Sequence, residues 1–252
     1  MYSFKSRVRY SELSADKKLS LVSIINYFQD CCTFEAEDTG VGLKWLKDHH
    51  TAWMLTNWQI HILRRPEYCE DIEIMTWACD FRYFIGKRSF LIRSLTGEPL
   101  VFALSEWAYV NVETGFPNKK VPQEEFDAYG MAPPIEKRFE EFGIAQSTED
   151  EIYKGRIDIP EAEGIELPKI VVSGEHLDTN DHVNNAQYVA IASSVLPDHF
   201  EADLFRAEYK MQSKLGDVLV PYVYKENENL CKVVLKDDAG NVKLVCAFAR
   251  AC

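Results

Sequence analysis

Hydrophobic and polar positions divide the chain into two similar blocks. Each block begins with a short strand-like segment, continues with one apolar helix and ends with several strands. The helices are predicted at about residues 19–32 and 185–196, and both are apolar on most faces, which is typical of buried helices. We therefore predict an N-terminal domain over residues 1–130 and a C-terminal domain over residues 151–252.

Alternating side chains predict the strands of both blocks. In residues 57–62, the apolar Trp58, Ile60 and Ile62 alternate with polar residues, which is the period of a half-buried strand. A hairpin is predicted around the turn at residues 96–98. In the second block, residues 205–212 alternate in the same way, and residues 218–224, 230–235 and 242–249 complete a predicted meander of strands. One buried helix wrapped by an antiparallel sheet, present twice, predicts an α+β architecture.

A linker rich in proline and glutamate is predicted at residues 131–150. Its composition fits a solvated connector that contains a short helix at about residues 136–142. The two domains on either side of it would act as an internal pseudo-dimer.

Composition and charge exclude several classes of function. The net charge of −12, from 28 basic and 40 acidic residues, argues against a general nucleic-acid binder, because phosphate contacts need a basic surface. No apolar stretch approaches the roughly 18 residues of a membrane span, and the N-terminus lacks the pattern of a signal peptide. Seven cysteines without metal-type spacing favour free thiols in a reducing cytoplasm. We expect a cytoplasmic protein without a metal or other cofactor.

Candidate chemistry is concentrated at residues 177–188, where polar side chains crowd a turn before the second helix. The N–H groups at a helix N-terminus favour negative charge, so a carbonyl oxygen that becomes an oxyanion would be stabilised there. If the segment is extended, Asp178, Asn180 and His182 point to one side and converge on one substrate. Each residue alone is explained as a cap or turn former, but the joint pattern favours a site.

The sequence of residues 178–188, Asp-x-Asn-x-His-Val-Asn-Asn-x-x-Tyr, resembles the signature of hotdog-fold acyl thioesterases. In the first half, residues 52–56, 65–66, 71–77 and 105–110 resemble the acyl-acyl-carrier-protein (acyl-ACP) thioesterases of plant plastids and bacteria. This resemblance spans nearly the whole chain and is weakest in the linker. It implies two tandem hotdog domains, each an antiparallel sheet wrapped around a long central helix. The implied reaction is hydrolysis of fatty acyl-ACP to free fatty acid.

The same resemblance assigns catalytic roles in the second domain. The family's catalytic Asp, Asn and His fall on Asp178, Asn180 and His182. Gln212 and Ser213 stand where plant relatives carry Glu and Cys. Because glutamine cannot act as a general base, we expect Asp178 and His182 to supply the acid–base chemistry and Gln212 to position water or substrate. Alternation places Gln212 on the polar face of its strand.

The first domain lacks the motif and is expected to supply the walls of an acyl tunnel, although tunnel lining and plain core look alike in sequence. The substrate carbonyl is expected to rest against the backbone N–H of Val183 or Asn184. The candidate substrate-binding residues are Val183, Asn184, Asn185, Ser213, Trp53 and Trp58.

An acyl carrier protein is the partner that the resemblance implies, with coenzyme A as the alternative carrier. Because carrier proteins are acidic, basic side chains would receive one. The candidates are Arg64, Arg65, Lys87, Arg88, Lys119, Lys120, Lys210 and Lys214. The tandem pair alone and a homodimer of it are both compatible with the sequence.

Two rival functions differ in what they require of the second helix and its surroundings. A hotdog dehydratase would carry an acid on the central helix, and residues 185–196 contain no Asp or Glu. A non-catalytic acyl-binding regulator would bring a DNA-binding segment, and neither a helix-turn-helix pattern nor a basic stretch is visible.

Overall fold

The computed structural model describes residues 1–146, 148, 155–197 and 200–250. The chain divides into two compact units. Unit 1 comprises residues 1–56 and 60–153, and unit 2 comprises residues 57–59 and 154–252. None of the described helices is long and apolar enough to cross a membrane.

Unit 1 consists of one long helix, three short helices and five strands among the described residues. In chain order these are β1 (Tyr2–Arg7), α1 (Leu21–Asp38), α2 (Leu43–Asp48), β2 (Thr51–Ile62), β3 (Asp71–Arg82), β4 (Ile85–Ser94), β5 (Pro99–Asn111), α3 (Gln123–Ala128) and α4 (Phe139–Phe142). The strand order is β1–β3–β4–β5–β2, and β1, β3, β4 and β5 pair antiparallel. The short segment 57–59 of β2 clusters with unit 2.

Helix α1 starts at the Ser20 N-cap, whose hydroxyl accepts the Ser23 amide at 3.1 Å. It packs its apolar side on the sheet, where Phe28 meets Phe90 of β4 with ring centroids 5.0 Å apart. The helix continues to Asp38 and therefore ends later than the sequence pattern predicted. The buried position in its last turns is occupied by Glu35, a charged residue that an apolar pattern does not count as buried.

Residues 132–144 pack against the sheet of unit 1. Ile135 and Phe139 are 0% and 1% exposed and join a core cluster that includes Trp77 of β3. The Trp77 indole N–H donates to the Pro133 carbonyl at 2.8 Å. The prediction of a solvated connector is therefore wrong for these residues, because a few well-spaced apolar side chains outweigh the proline- and glutamate-rich composition.

Unit 2 repeats the arrangement with a shorter helix. Its elements are β6 (Ile165–Glu166), β7 (Ile170–Val171), α5 (Asn185–Ser194), β8 (Leu204–Tyr209), β9 (Val218–Lys225), β10 (Leu230–Lys236) and β11 (Val242–Ala249). The strand order is β8–β11–β10–β9–β6, with β7 also paired to β9. At the last turn, Asp237 Oδ1 accepts the amides of Ala239 and Asn241. The predicted α+β class is confirmed.

Candidate functional site

The polar segment ahead of α5 forms a closed loop. Leu177 and Val183 make an isolated antiparallel bridge, and the Asp178 amide donates to the His182 carbonyl at 2.8 Å. Asp181 has a φ of 59°, a left-handed conformation that lets the chain reverse direction. The predicted catalytic residues therefore share one short loop.

The Asp178 carboxylate organises this loop. Its Oδ1 accepts the Asn180 amide at 2.8 Å and the His182 amide at 3.3 Å. Aspartate often bonds to the backbone shortly after it, and such bonds replace an extended conformation. The three side chains therefore do not line up as they would along an extended strand. Both loop bonds use Oδ1, so Oδ2 is not needed to hold the loop.

Two backbone amides that were expected to receive the substrate carbonyl are already hydrogen-bonded. The Val183 amide donates to the Ser213 carbonyl at 2.9 Å, and the Asn184 amide donates to the His176 carbonyl at 2.8 Å. Asn184 is also the N-cap of α5, since its Oδ1 accepts the Ala186 amide at 2.8 Å. The expected oxyanion role of these two amides is therefore wrong, because chain segments distant in sequence supply their acceptors.

The segment that follows β8 lies against the loop. Its Ser213 is fully buried and holds Val183 through its carbonyl, while the Tyr188 hydroxyl of α5 donates to the Met211 carbonyl at 3.4 Å. Gln212, between them, is exposed. Because β8 ends at Tyr209, strand alternation no longer applies at Gln212, whose two neighbours bond to Val183 and Tyr188; its role in the site stays a prediction.

The buried Tyr188 and the half-buried Tyr209 support the N-terminal end of α5. The Tyr209 hydroxyl donates to the Asn185 carbonyl at 3.0 Å, and the Tyr209 and Tyr188 rings meet edge to face. Burial raises the pKa of both tyrosines, so both remain neutral hydrogen-bond donors at physiological pH. The sequence pattern did not identify Tyr209 as a support, because its partner is a backbone carbonyl of another element.

A loop ahead of α1 in unit 1 closes with the same main-chain hydrogen bonds. We call it the first loop, and the loop ahead of α5 the second loop. Leu13 and Leu19 form the bridge that corresponds to Leu177 and Val183, and Lys17 has a φ of 67° where Asp181 has 59°. In unit 1 the amides of Ser14, Lys17, Leu19 and Ser20 donate to the carbonyls of Lys18, Ser14, Pro66 and Glu12, respectively. In unit 2 the corresponding amides, in the same order, are those of Asp178, Asp181, Val183 and Asn184, and they donate to the carbonyls of His182, Asp178, Ser213 and His176. Ser14, Asp16 and Lys18 thus stand where the second loop has Asp178, Asn180 and His182.

Arg65 occupies the first loop. Because Pro66 corresponds to Ser213, Arg65 corresponds to Gln212. Its guanidinium donates to the Leu19 carbonyl at 2.9 Å and also binds the side chains of Ser14 and Asp16. Burial raises the pKa of Asp16, but hydrogen bonds from Ser14 and Lys18 and the charge of Arg65 together hold it below its ordinary value. The residue at the Gln212 position thus reaches two of the three loop side chains, those at the positions of Asp178 and Asn180, and the backbone carbonyl at the third.

The two predicted tryptophans fall in different units. Trp53 is half-buried in unit 1, where its ring packs on Phe81 and Tyr109 and its indole N–H donates to Glu125 Oε2 at 2.6 Å. Trp58 is 1% exposed and lies in the segment of β2 that clusters with unit 2. Their role in substrate binding stays a prediction. The buried Glu125 had no signal in the sequence, because it lies in a short acidic segment that resembles a solvated helix.

Comparison with known proteins identifies similar chains. Residues 1–129 match the acyl-ACP thioesterase N-terminal domain family. The chain is 27% identical over 228 residues to a chloroplastic acyl-[acyl-carrier-protein] hydrolase of Cuphea viscosissima, covering 84% of this chain and 52% of that protein. It is 25% identical over 233 residues to the chloroplastic oleoyl-acyl carrier protein thioesterase 1 of Arabidopsis thaliana, covering 86% of this chain and 62% of that protein. The chain thus spans between half and two thirds of the length of these relatives.

A solved structure shares the fold over nearly the full length. The crystal structure of an acyl-ACP thioesterase from Bacteroides thetaiotaomicron superposes with a TM-score of 0.83 at 20% identity, covering 98% of this chain and 96% of that chain. This similarity confirms the predicted hotdog fold.

Proposed function

Because the chain belongs to the acyl-ACP thioesterase family, we propose that it hydrolyses fatty acyl thioesters carried by acyl carrier protein and releases free fatty acid. The observation that carries the proposal is the loop ahead of α5, which gathers Asp178, Asn180 and His182 in a chain of this family. Relatives that are named as acyl-ACP hydrolases or thioesterases match both halves of the chain.

The reaction needs a water activated at one face of the thioester and a proton for the departing sulfur. Water oxygen adds to the carbonyl carbon, the carbon–sulfur bond breaks, and the thiolate takes up the proton that the water loses. We assign the proton transfers to Asp178, through Oδ2, and to His182. With the Val183 and Asn184 amides hydrogen-bonded, we assign the Asn180 side-chain amide to orient the carbonyl or the water.

A thiol-release assay tests the proposal. Purified protein is given acyl-ACP and acyl-coenzyme A with the same acyl group, over several chain lengths, and free thiol is measured with time. Hydrolysis of acyl-ACP at the higher kcat/KM supports the proposal. Equal or higher kcat/KM for acyl-coenzyme A would identify coenzyme A, and not the carrier protein, as the acyl carrier of the substrate. Absence of thiol release from both substrates would refute the proposed thioesterase activity.

Most basic residues that the sequence offered for carrier docking are neutralised in the structure. Five of the eight form ion pairs: Arg64 with Glu70 and Glu98, Arg65 with Asp16, Lys87 with Glu106, Arg88 with Glu35, and Lys210 with Glu208. An ion-paired cation offers little to an acidic partner, since its charge is already compensated. Among the eight candidates, Lys119, Lys120 and Lys214 therefore remain, and all three are exposed.

Lys119 and Lys120 lie beside a further cation. The Val121 amide donates to the Tyr83 carbonyl at 2.8 Å, which holds the lysine pair against the β3–β4 turn, next to the exposed Arg82 at the end of β3. We assign these three cations as the docking surface for the acidic carrier. Because the whole chain carries a net charge of −12, an acidic carrier would need such a local basic patch to approach.

Charge reversal tests this surface. The variant K119E/K120E should raise KM for acyl-ACP about tenfold, leave KM for acyl-coenzyme A within about twofold, and weaken the increase of KM with salt. The control K5E/K225E makes the same change in net charge at two other exposed lysines and should leave both KM values near wild type. An unchanged KM for acyl-ACP in K119E/K120E would place the docking surface elsewhere.

Location and assembly complete the proposal. We propose a cytoplasmic site of action, which expression with a fluorescent tag tests directly. The tandem pair alone and a homodimer of it are the two alternatives for assembly, and light scattering of the purified protein distinguishes them.

A further inference from the structure

Three charged side chains are buried together in unit 1. Glu35 of α1, Arg88 of β4 and Glu125 of α3 are 6%, 8% and 0% exposed. Arg88 forms an ion pair with Glu35, and its guanidinium lies 5.0 Å from the centre of the Tyr129 ring. The cluster thus contains one buried cation and two buried carboxyls. Because a buried carboxylate without its own cation is costly, this cluster favours a proton on one of the two acids.

Glu125 is the carboxyl that keeps the proton. Burial raises its pKa to about 7, although the hydrogen bond from the Trp53 indole, the nearby Tyr109 hydroxyl and the charges of His49 and Arg88 lower it. The polar and charged groups that interact with Glu125 include these four, from β2, β5, the end of α2 and β4, and Tyr129 directly after α3. The Glu35 carboxyl is already paired with the guanidinium, so the shared charge does not neutralise Glu125.

Glu125 also anchors a short segment whose Phe126 and Tyr129 rings pack on Phe81 of β3. Helix α3 has six residues, too few to be stable by itself. Main-chain bonds hold the ends of the segment, where Val121 donates to Tyr83 at 2.8 Å and Ala132 donates to Ala78 at 3.0 Å. Between these ends, the buried carboxyl bonded to the Trp53 indole is the polar contact that fixes α3 to the sheet.

We propose that Glu125 is a proton-sensitive anchor: the neutral acid holds residues 121–130 on the sheet of unit 1, and its ionisation loosens them. This device lies outside the catalytic loop and is independent of the proposed thioesterase activity. A carboxyl whose native pKa is raised adds stability below its ordinary pKa of 4.5, and that stability is lost as the pH rises to about 7. Opening of the segment therefore releases one proton within this range.

Carbon-13 NMR of protein labelled at the glutamate carboxyls tests the proton. One signal should titrate near pH 7, apart from the exposed glutamates. It should vanish in E125Q and persist in E124Q, which changes the exposed neighbour on the same helix. In W53F the midpoint should rise, because a hydrogen bond that lowers the pKa is removed. Absence of any glutamate signal titrating above about pH 6, or its survival in E125Q, would overturn the proposal.

Hydrogen exchange of the same proteins tests the anchor. After correction for the intrinsic pH dependence, opening of residues 121–130 should increase by up to about tenfold per pH unit between pH 5 and 7, and level off above. Peptides from β10 and β11 in unit 2 serve as the internal reference. E125Q should show no such rise and E124Q should show it in full. If E125Q does not fold, W53F provides the comparison, with the rise extending to higher pH. A carboxyl signal that titrates near pH 7 without this change in hydrogen exchange would also refute the proposal that Glu125 anchors the segment.

Discussion

The two loops that precede α1 and α5 share one backbone and differ in chemistry. Both close with the same set of main-chain hydrogen bonds and both contain one left-handed residue. In unit 2 the loop carries an acid, an amide and an imidazole, and the residue beside it is the neutral, exposed Gln212. In unit 1 it carries Ser14, Asp16 and Lys18, and Arg65 fills the corresponding position. The shared backbone of the two loops therefore does not by itself supply the side chains to which we assign catalysis.

The difference also explains why we assign no chemistry to the first loop. Arg65 binds Asp16 and the Leu19 carbonyl, so the acid is neutralised and a guanidinium occupies the space beside it. In the second loop, Asp178 uses Oδ1 for the backbone and keeps Oδ2 for another partner. The same fold element therefore serves stability in one unit and, as proposed, hydrolysis in the other.

The strongest test of this comparison removes the acid–base pair. Asp178→Ala or His182→Ala should lower kcat for acyl-ACP at least about 100-fold, because each removes a group that transfers a proton. Ser14→Ala and Lys18→Ala are the matched changes in the first loop and should leave kcat within about twofold. The measurement is thiol release. Near-wild-type turnover in both unit 2 variants would sink the assignment, and equal losses in the two loops would abolish the contrast.

A smaller effect is expected at the position that distinguishes the loops. Gln212→Ala should lower kcat about tenfold, which corresponds to about one hydrogen bond to water or substrate. Gln212→Glu, which introduces the residue that plant relatives carry, should keep kcat within about threefold at pH 8, where a carboxylate is ionised. If both variants match wild type in kcat and KM, Gln212 takes no part in the reaction.

At Arg65, the residue of the first loop that corresponds to Gln212, a substitution is expected to affect the stability of the protein. Arg65→Ala should lower the free energy of unfolding by about 2 kcal/mol, because it leaves the part-buried Leu19 carbonyl and the Asp16 carboxylate without their partner. Gln212→Ala should change it by less than about 0.5 kcal/mol, since the side chain is exposed. Urea unfolding followed by circular dichroism measures both. A larger loss of stability in the Gln212 variant than in the Arg65 variant would reverse the roles given to the two positions.

Sequence reasoning located the elements and the loop but misread several details. It placed the start of α5 at the observed residue, because the change from polar turn to apolar helix is local. It ended α1 too early, because Glu35 is buried only through its pairing with Arg88 of a distant strand. It also predicted a solvated connector at residues 131–150, because composition does not reveal that Ile135 and Phe139 pack on the sheet of unit 1.

The amino-acid sequence by itself determined the α+β class, the position of each buried helix and the turn that carries Asp178, Asn180 and His182. These features depend on the periodicity of apolar residues and on residues adjacent in the chain, and both are visible in the sequence. Only the tertiary structure decided which backbone amides are already hydrogen-bonded, that Arg65 fills the first loop and that Glu125 is buried without a cation of its own. Each of these depends on a partner supplied by a distant segment, and hydrogen bonding and burial at such contacts are set by packing and not by local sequence.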